Sequence, residues 1–184
     1  MQIFPAFSYP ILIDDFEIAD TLIKNLEESW DDVKRENDIF IHDGKVKDCE
    51  GFYNWVEERA GFLLKEIMGY SNTISMTHTE VQVSHMGSQI PAHTHKGTYL
   101  TGYYMVKYNE QDGHTPLVFE NPFKNTMVPC IELDEEKPTM WNTANFIAPV
   151  KEGQLIIFPS NLVHFFPKME ANDRTIVSFD FVAK

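Results

Sequence analysis

From Ile74 onward the chain is a succession of short β-type runs cut by turn residues, and this succession narrows the possible folds more than any other feature. Ile74 to His85 alternates with period two, and further runs follow at Thr101 to Tyr108, Pro116 to Glu120 and Phe146 to Pro149. Leu155 to Phe158, Leu162 to Phe166 and Thr175 to Val182 complete the series. Asp112-Gly113 and Pro159-Ser160-Asn161 supply turn chemistry between them. A β-structured core is therefore expected over about residues 72–182.

Ahead of it the pattern changes to helical. Asp14-Asp15 offers an N-cap, and Leu22, Ile23, Leu26, Trp30 and Val33 recur at helical spacing, which predicts an amphipathic helix over 16–36. Residues 38–48, with Asp43-Gly44, read as a hairpin or loop. A second helix is predicted over 50–68, with Phe52, Trp55, Val56, Leu63, Leu64 and Ile67 inward and Gly69 as its stop. These helices are expected to serve as a scaffold over about 14–69. With 184 residues and no repeat or linker, a single domain spanning 1–184 is expected.

Composition removes some function classes. Twenty-eight acidic against fifteen basic residues give a net charge of −13, and no Lys/Arg stripe stands out, so a nucleic-acid or anionic-membrane surface is not expected. Cys49 and Cys130 lie far apart without metal or redox spacing and read as reduced thiols. With no basic-then-apolar leader and no long apolar run, a soluble cytoplasmic protein is expected.

The chemistry concentrates in two stretches. In Pro91-Ala-His93-Thr-His95, an extended backbone puts both histidines on one face, where they can share a metal ion. A third imidazole has its best candidate in His164, after the Pro159-Ser-Asn turn. Three neutral imidazoles suit Fe(II), Zn, Cu or Ni and leave coordination positions open, as a catalytic site requires.

The order His-X-His, Gly102-Tyr103-Tyr104, Phe119-Glu-Asn-Pro122, the Gly153 to Pro159 turn, His164, Arg174 and Ser178 resembles the small 2-oxoglutarate/Fe(II)-dependent oxygenases of the double-stranded β-helix superfamily. The resemblance covers about residues 78–182. It implies a mainly β, jelly-roll barrel with two N-terminal scaffold helices. It also implies Fe(II) held by His93, His95 and His164, with 2-oxoglutarate and O2 as cosubstrates. Arg174 would pair with the distal carboxylate of 2-oxoglutarate, a task for which a planar guanidinium fork is suited. Tyr104, from the Tyr-Tyr pattern, and Ser178, on Arg174's strand face, would assist it. The substrate would be a peptide side chain or a small metabolite.

Position 95 departs from the commoner superfamily pattern of two histidines and a carboxylate, although the subgroup most resembled also shows His-X-His. A neutral third ligand leaves the site one charge more positive. Glu120 is the candidate substitute carboxylate. Residues 121–145 read as a long irregular insertion, a possible lid, with Trp141, Asn142 and Asn145 as substrate contacts. Two other readings stand beside this one: a cupin-type metal-dependent dioxygenase or isomerase, and a non-catalytic ligand-binding barrel. Against the cupin, no glutamate follows His95 within Lys96 to Gly102.

Overall fold

Two antiparallel sheets face one another and carry all eleven strands among the described residues. The computed structural model describes residues 8–17, 19–28, 34–36, 38–123, 136–137, 139 and 142–184. In chain order the strands are β1 (Leu12–Asp15), β2 (Lys34–Glu36), β3 (Ile39–Asp43), β4 (Ile74–Ser84), β5 (Ile90–His93) and β6 (Leu100–Lys107). They continue with β7 (Val118–Glu120), β8 (Asn145–Ile147), β9 (Gln154–Pro159), β10 (His164–Phe166) and β11 (Arg174–Ala183). The larger sheet runs β1-β9-β6-β11-β4-β3-β2 and the smaller β5-β10-β7-β8. This is the jelly-roll arrangement the sequence leads one to expect.

Both faces of the larger sheet are covered, which is why β6 and most of β9 and β11 are buried along their length instead of on alternate residues. On one face Tyr104, Leu155, Ile157, Val177, Phe179 and Phe181 pack against Phe52, Tyr53, Val56, Leu63 and Leu64 of the helical layer. On the other, Tyr103, Met105, Ile156, Phe158 and Ile176 meet Phe119, Leu162 and Phe166 between the sheets. Gly102 marks the tightest approach: a Cβ there would lie 2.6 Å from the Ile156 carbonyl oxygen of neighbouring β9.

The helical layer differs from the expected one in two places. The first helix, α1, spans Ala19–Glu28, and Lys34–Glu36 form a strand instead of continuing the helix. That strand pairs with Ile39–Ile41, and Asp38, with φ +60°, makes the turn. Sheet pairing with β3 has overridden the helical spacing. The second helix, α2 (Glu50–Phe62), continues through a π-helical turn at Leu63–Ile67, and Gly69, at φ +75°, ends it as expected. The wider π turn shifts the helical phase, so Ile67 lies exposed instead of inward, while Leu63 and Leu64 stay buried.

Candidate metal centre and anion pocket

His93 ends β5, and its strand partner is His164, the first residue of β10. His95 stands two residues beyond the strand, where its backbone N–H donates to the Ser160 carbonyl across the adjoining turn (3.1 Å). The two members of the His-X-His pair are therefore brought together by a strand end and an anchored turn, not by one extended segment. The ring centroids of the three histidines are 4.4 to 5.1 Å apart. One ring nitrogen of each lies within 4.8 Å of the other two.

Hydrogen bonds fix which nitrogen faces inward. His93 Nδ1 lies 2.7 Å from the Pro91 carbonyl and His164 Nδ1 lies 2.9 Å from the Leu162 carbonyl. His95 Nδ1 lies 2.7 Å from a carboxylate oxygen of Asp180. Carbonyls accept, so Nδ1 of His93 and of His164 carries the proton and their Nε2 atoms present lone pairs, and the Asp180 carboxylate against His95 Nδ1 favours the same tautomer there. The His93 and His95 Nε2 atoms then face each other at 3.1 Å. Two lone pairs at that distance repel unless a cation lies between them. Ligands at about 2.1 Å from one ion and at right angles to each other are about 3.0 Å apart, so the spacing fits a shared metal.

Burial favours the neutral state of His93 and His164. His164 is fully buried, and burial first, then the neighbouring histidines, pulls its pKa down to about 3 in spite of the Leu162 carbonyl. Burial also lowers that of His93. Burial pushes the Asp180 carboxyl up, but its contacts with His95 and Thr101 outweigh it and hold the group below its ordinary value. Neutral imidazoles and an ionised carboxylate are the forms a metal site needs.

Tyr103, not Tyr104, faces this centre. The Tyr103 hydroxyl donates to His164 Nε2 (3.0 Å), and its ring packs on Phe166 (5.4 Å between centroids). Tyr104 points to the opposite face of the sheet, where its hydroxyl bonds the Phe16 carbonyl, so the expectation that it reaches the cosubstrate is corrected.

Arg174 opens β11 and projects between the sheets, fully buried. Its Nη1 donates to the Thr115 carbonyl (3.1 Å) and hydroxyl (3.2 Å), its Nη2 to Ser84 Oγ (2.9 Å), and its guanidinium lies 4.0 Å from the Phe166 ring centre. Its Nε has no acceptor, and no carboxylate pairs with it among the described residues. Burial lowers its pKa only to about 10, so it stays cationic. A buried cation without a counter-charge is expensive and calls for an anionic ligand. Ser178 is buried on the same face, across from Tyr103 and Glu80 in the neighbouring strands.

Other expected residues fall elsewhere. The neighbour of Glu120 in β7, Phe119, is the one that points between the sheets, and Glu120 lies outside the histidine cluster. Asn142 serves its own loop, accepting from the Thr139 N–H (2.5 Å) and donating to the Lys137 carbonyl (2.9 Å). Asn145 is exposed in β8, and Trp141, with most of the expected lid, lies outside the described residues. His78 is half exposed beside Glu80 (3.4 Å), and His114 donates to the Asn172 carbonyl (2.8 Å); neither reaches the centre. Asp180, Ser84 and Thr115 were not anticipated. Period two counted from Arg174 places Asp180 on the site-facing side of β11, and that signal was available.

The family profile described as "Putative 2OG-Fe(II) oxygenase" matches residues 81–180, more than half of the chain. The protein belongs to this family of Fe(II)- and 2-oxoglutarate-dependent oxygenases, which use both with O2, and the cupin reading gives way to it. Solved structures share the fold. An oxidoreductase of the 2OG-Fe(II) oxygenase family from Burkholderia pseudomallei superposes with a TM-score of 0.65 at 10% identity, covering 94% of this chain and 84% of the other. A prolyl hydroxylase from Trichoplax adhaerens, in complex with a hypoxia-inducible-factor oxygen-degradation-domain peptide, gives 0.62 at 14% identity over 93% and 83%. The epimerase SnoN, in complex with Fe3+, α-ketoglutarate and nogalamycin RO, gives 0.65 at 12% over 94% and 78%. No curated protein matches the sequence. Among the described residues no helix is long and apolar enough to cross a membrane.

Proposed function

We propose that His93, His95 and His164 hold Fe(II) through their Nε2 atoms and that Arg174 binds the distal carboxylate of 2-oxoglutarate. The reaction would then hydroxylate a carbon of a peptide side chain or a small metabolite. One observation carries this reading: each Nδ1 lies against a carbonyl or carboxylate oxygen, and one ring nitrogen of each histidine lies within 4.8 Å of the other two. The bound metal, with 2-oxoglutarate and O2, supplies the oxidising power.

The chain's own residues bind, orient and exclude water. The Pro91 and Leu162 carbonyls and the Asp180 carboxylate lock the imidazole tautomers. Phe119, Phe158 and Phe166 make an apolar wall around His164, with ring centres of the first two 6.2 and 4.8 Å from it. In such a dry setting the fixed charge of Arg174 acts with little screening. Tyr103 donates to the lone pair a metal would take on His164, so metal binding frees its hydroxyl within the same pocket. We place that hydroxyl, with Ser178, beside the cosubstrate. Peptide and small-molecule ligands both occur among proteins of this fold, and the open side of the centre is proposed to admit either class. A reducing cytoplasm, where the buried Cys49 remains a thiol, is the proposed setting.

The direct test is succinate formation from 2-oxoglutarate with Fe(II) and O2, followed by a screen of peptides and metabolites for substrate-stimulated turnover. His164→Ala is expected to lose at least 90% of succinate formation, because it deletes one of three metal donors. Equal turnover in wild type and His164→Ala contradicts the assignment.

A further inference from the structure

We propose that Asp180 supplies, from behind His95, the negative charge that a carboxylate ligand would otherwise bring to the metal. The proposal rests on the metal reading above. It concerns how a three-histidine site meets the charge requirement of iron.

The three histidines are not equivalent. His93 and His164 each donate from Nδ1 to a neutral backbone carbonyl, and His95 alone has its Nδ1 against a carboxylate oxygen, at 2.7 Å. Both side chains of the His95–Asp180 pair are mostly buried, at 18% and 15% exposure, so the interaction is weakly screened. His95 is the only ion-pair partner of Asp180 among the described residues, apart from the long-range influence of half-exposed His78. The other nearby candidate, Glu120, lies outside the cluster.

Position 95 is also where the commoner triad carries its carboxylate. With histidine there, three neutral donors would leave a dication uncompensated in a pocket that also holds the cation of Arg174. A carboxylate hydrogen-bonded to the far nitrogen of a ligating imidazole makes that imidazole a stronger donor and transmits charge to the metal. His95 and Asp180 together thus do in two residues what one aspartate does elsewhere. Asp180 is a positioning residue in this scheme, since it acts through His95.

Asp180→Asn separates charge from orientation, because an amide oxygen still accepts from His95 Nδ1 while the charge is gone. Anaerobic Fe(II) titrations of wild type and Asp180→Asn are compared, with melting temperatures of both metal-free proteins as a control on folding. The expected result is Fe(II) affinity weakened about tenfold or more in Asp180→Asn. The Fe(II)–2-oxoglutarate charge-transfer band should also move to shorter wavelength, because a less electron-rich iron gives up an electron less readily. Equal affinity with an unmoved band overturns the proposal and leaves Asp180 a hydrogen-bond acceptor only. A wild type that binds no iron defeats the underlying metal reading instead, so the two failures are distinguishable. If Asp180→Asn does not fold, the wild type decides by NMR of the Zn(II)-loaded protein. The His95 Nδ1 proton should resonate well downfield of those of His93 and His164, and equal shifts would contradict a charge-assisted bond.

Discussion

Adjacent tyrosines in β6 have opposite fates, and they show what a single residue's position decides. Tyr103 and Tyr104 are both fully buried, one against the histidines and the other against the helical layer. Their sequence could not separate them, because every residue from Leu100 to Val106 is buried and the strand lacks the polar/apolar alternation that reveals a strand's two faces. The structure separates them by their bonds, to His164 and to the Phe16 carbonyl. Tyr103→Phe is expected to raise the 2-oxoglutarate KM several-fold while stability changes little. Tyr104→Phe should leave KM unchanged and cost about 1 kcal/mol of stability, the usual net worth of one hydrogen bond. Steady-state kinetics and urea melts on both variants check the pair, and the opposite pattern would restore Tyr104 to the site. The histidines and Arg174, by contrast, were legible as residues, because their spacing carries the chemistry. Asp180 is less legible, because an acidic residue two past Ser178 in a strand carries no spacing signature of its own.

Among the elements, those after Ile74 were largely legible and those before it only partly. Period-two runs and turn residues locate β4, β6, β7, β9, β10 and β11 to within a few residues, since each strand's length is set by local punctuation. β5 carried no such pattern in its four residues, Ile90-Pro-Ala-His93, and emerges only through its pairing with β10. The α1 region failed for a related reason: helical spacing past Glu28 competes with sheet pairing at Lys34–Glu36, which no local pattern reports. The close packing of β6 on β9 is likewise invisible in the sequence, where Gly102 reads as any strand glycine. Gly102→Ala is expected to destabilise the fold by about 1–3 kcal/mol, because the added methyl meets a backbone carbonyl that cannot rotate away. A chemical-denaturation midpoint equal to wild type would show that β9 yields more easily than its position between β1 and β6 implies.

At the scale of the molecule, the helices and the larger sheet form a back and the smaller sheet a front, with the polar chemistry held between the two sheets. The layered cores explain why a buried arginine is tolerated: Phe166 and the Thr115 and Ser84 oxygens hold it in place. Iron and 2-oxoglutarate are proposed to meet in this pocket. The most direct measurement is an anaerobic titration of 2-oxoglutarate into the Fe(II)-loaded protein, following the visible metal-to-ligand charge-transfer band. The band is expected to appear and saturate at about one equivalent per chain. With Arg174→Ala the apparent Kd should rise roughly thirtyfold or more, equivalent to about 2 kcal/mol, the low end of what truncating one partner of a buried charge pair costs. Arg174→Lys should recover only part of that loss, since an ammonium lacks the fork. No band with the wild type, or the same Kd in wild type and Arg174→Ala, would contradict the account.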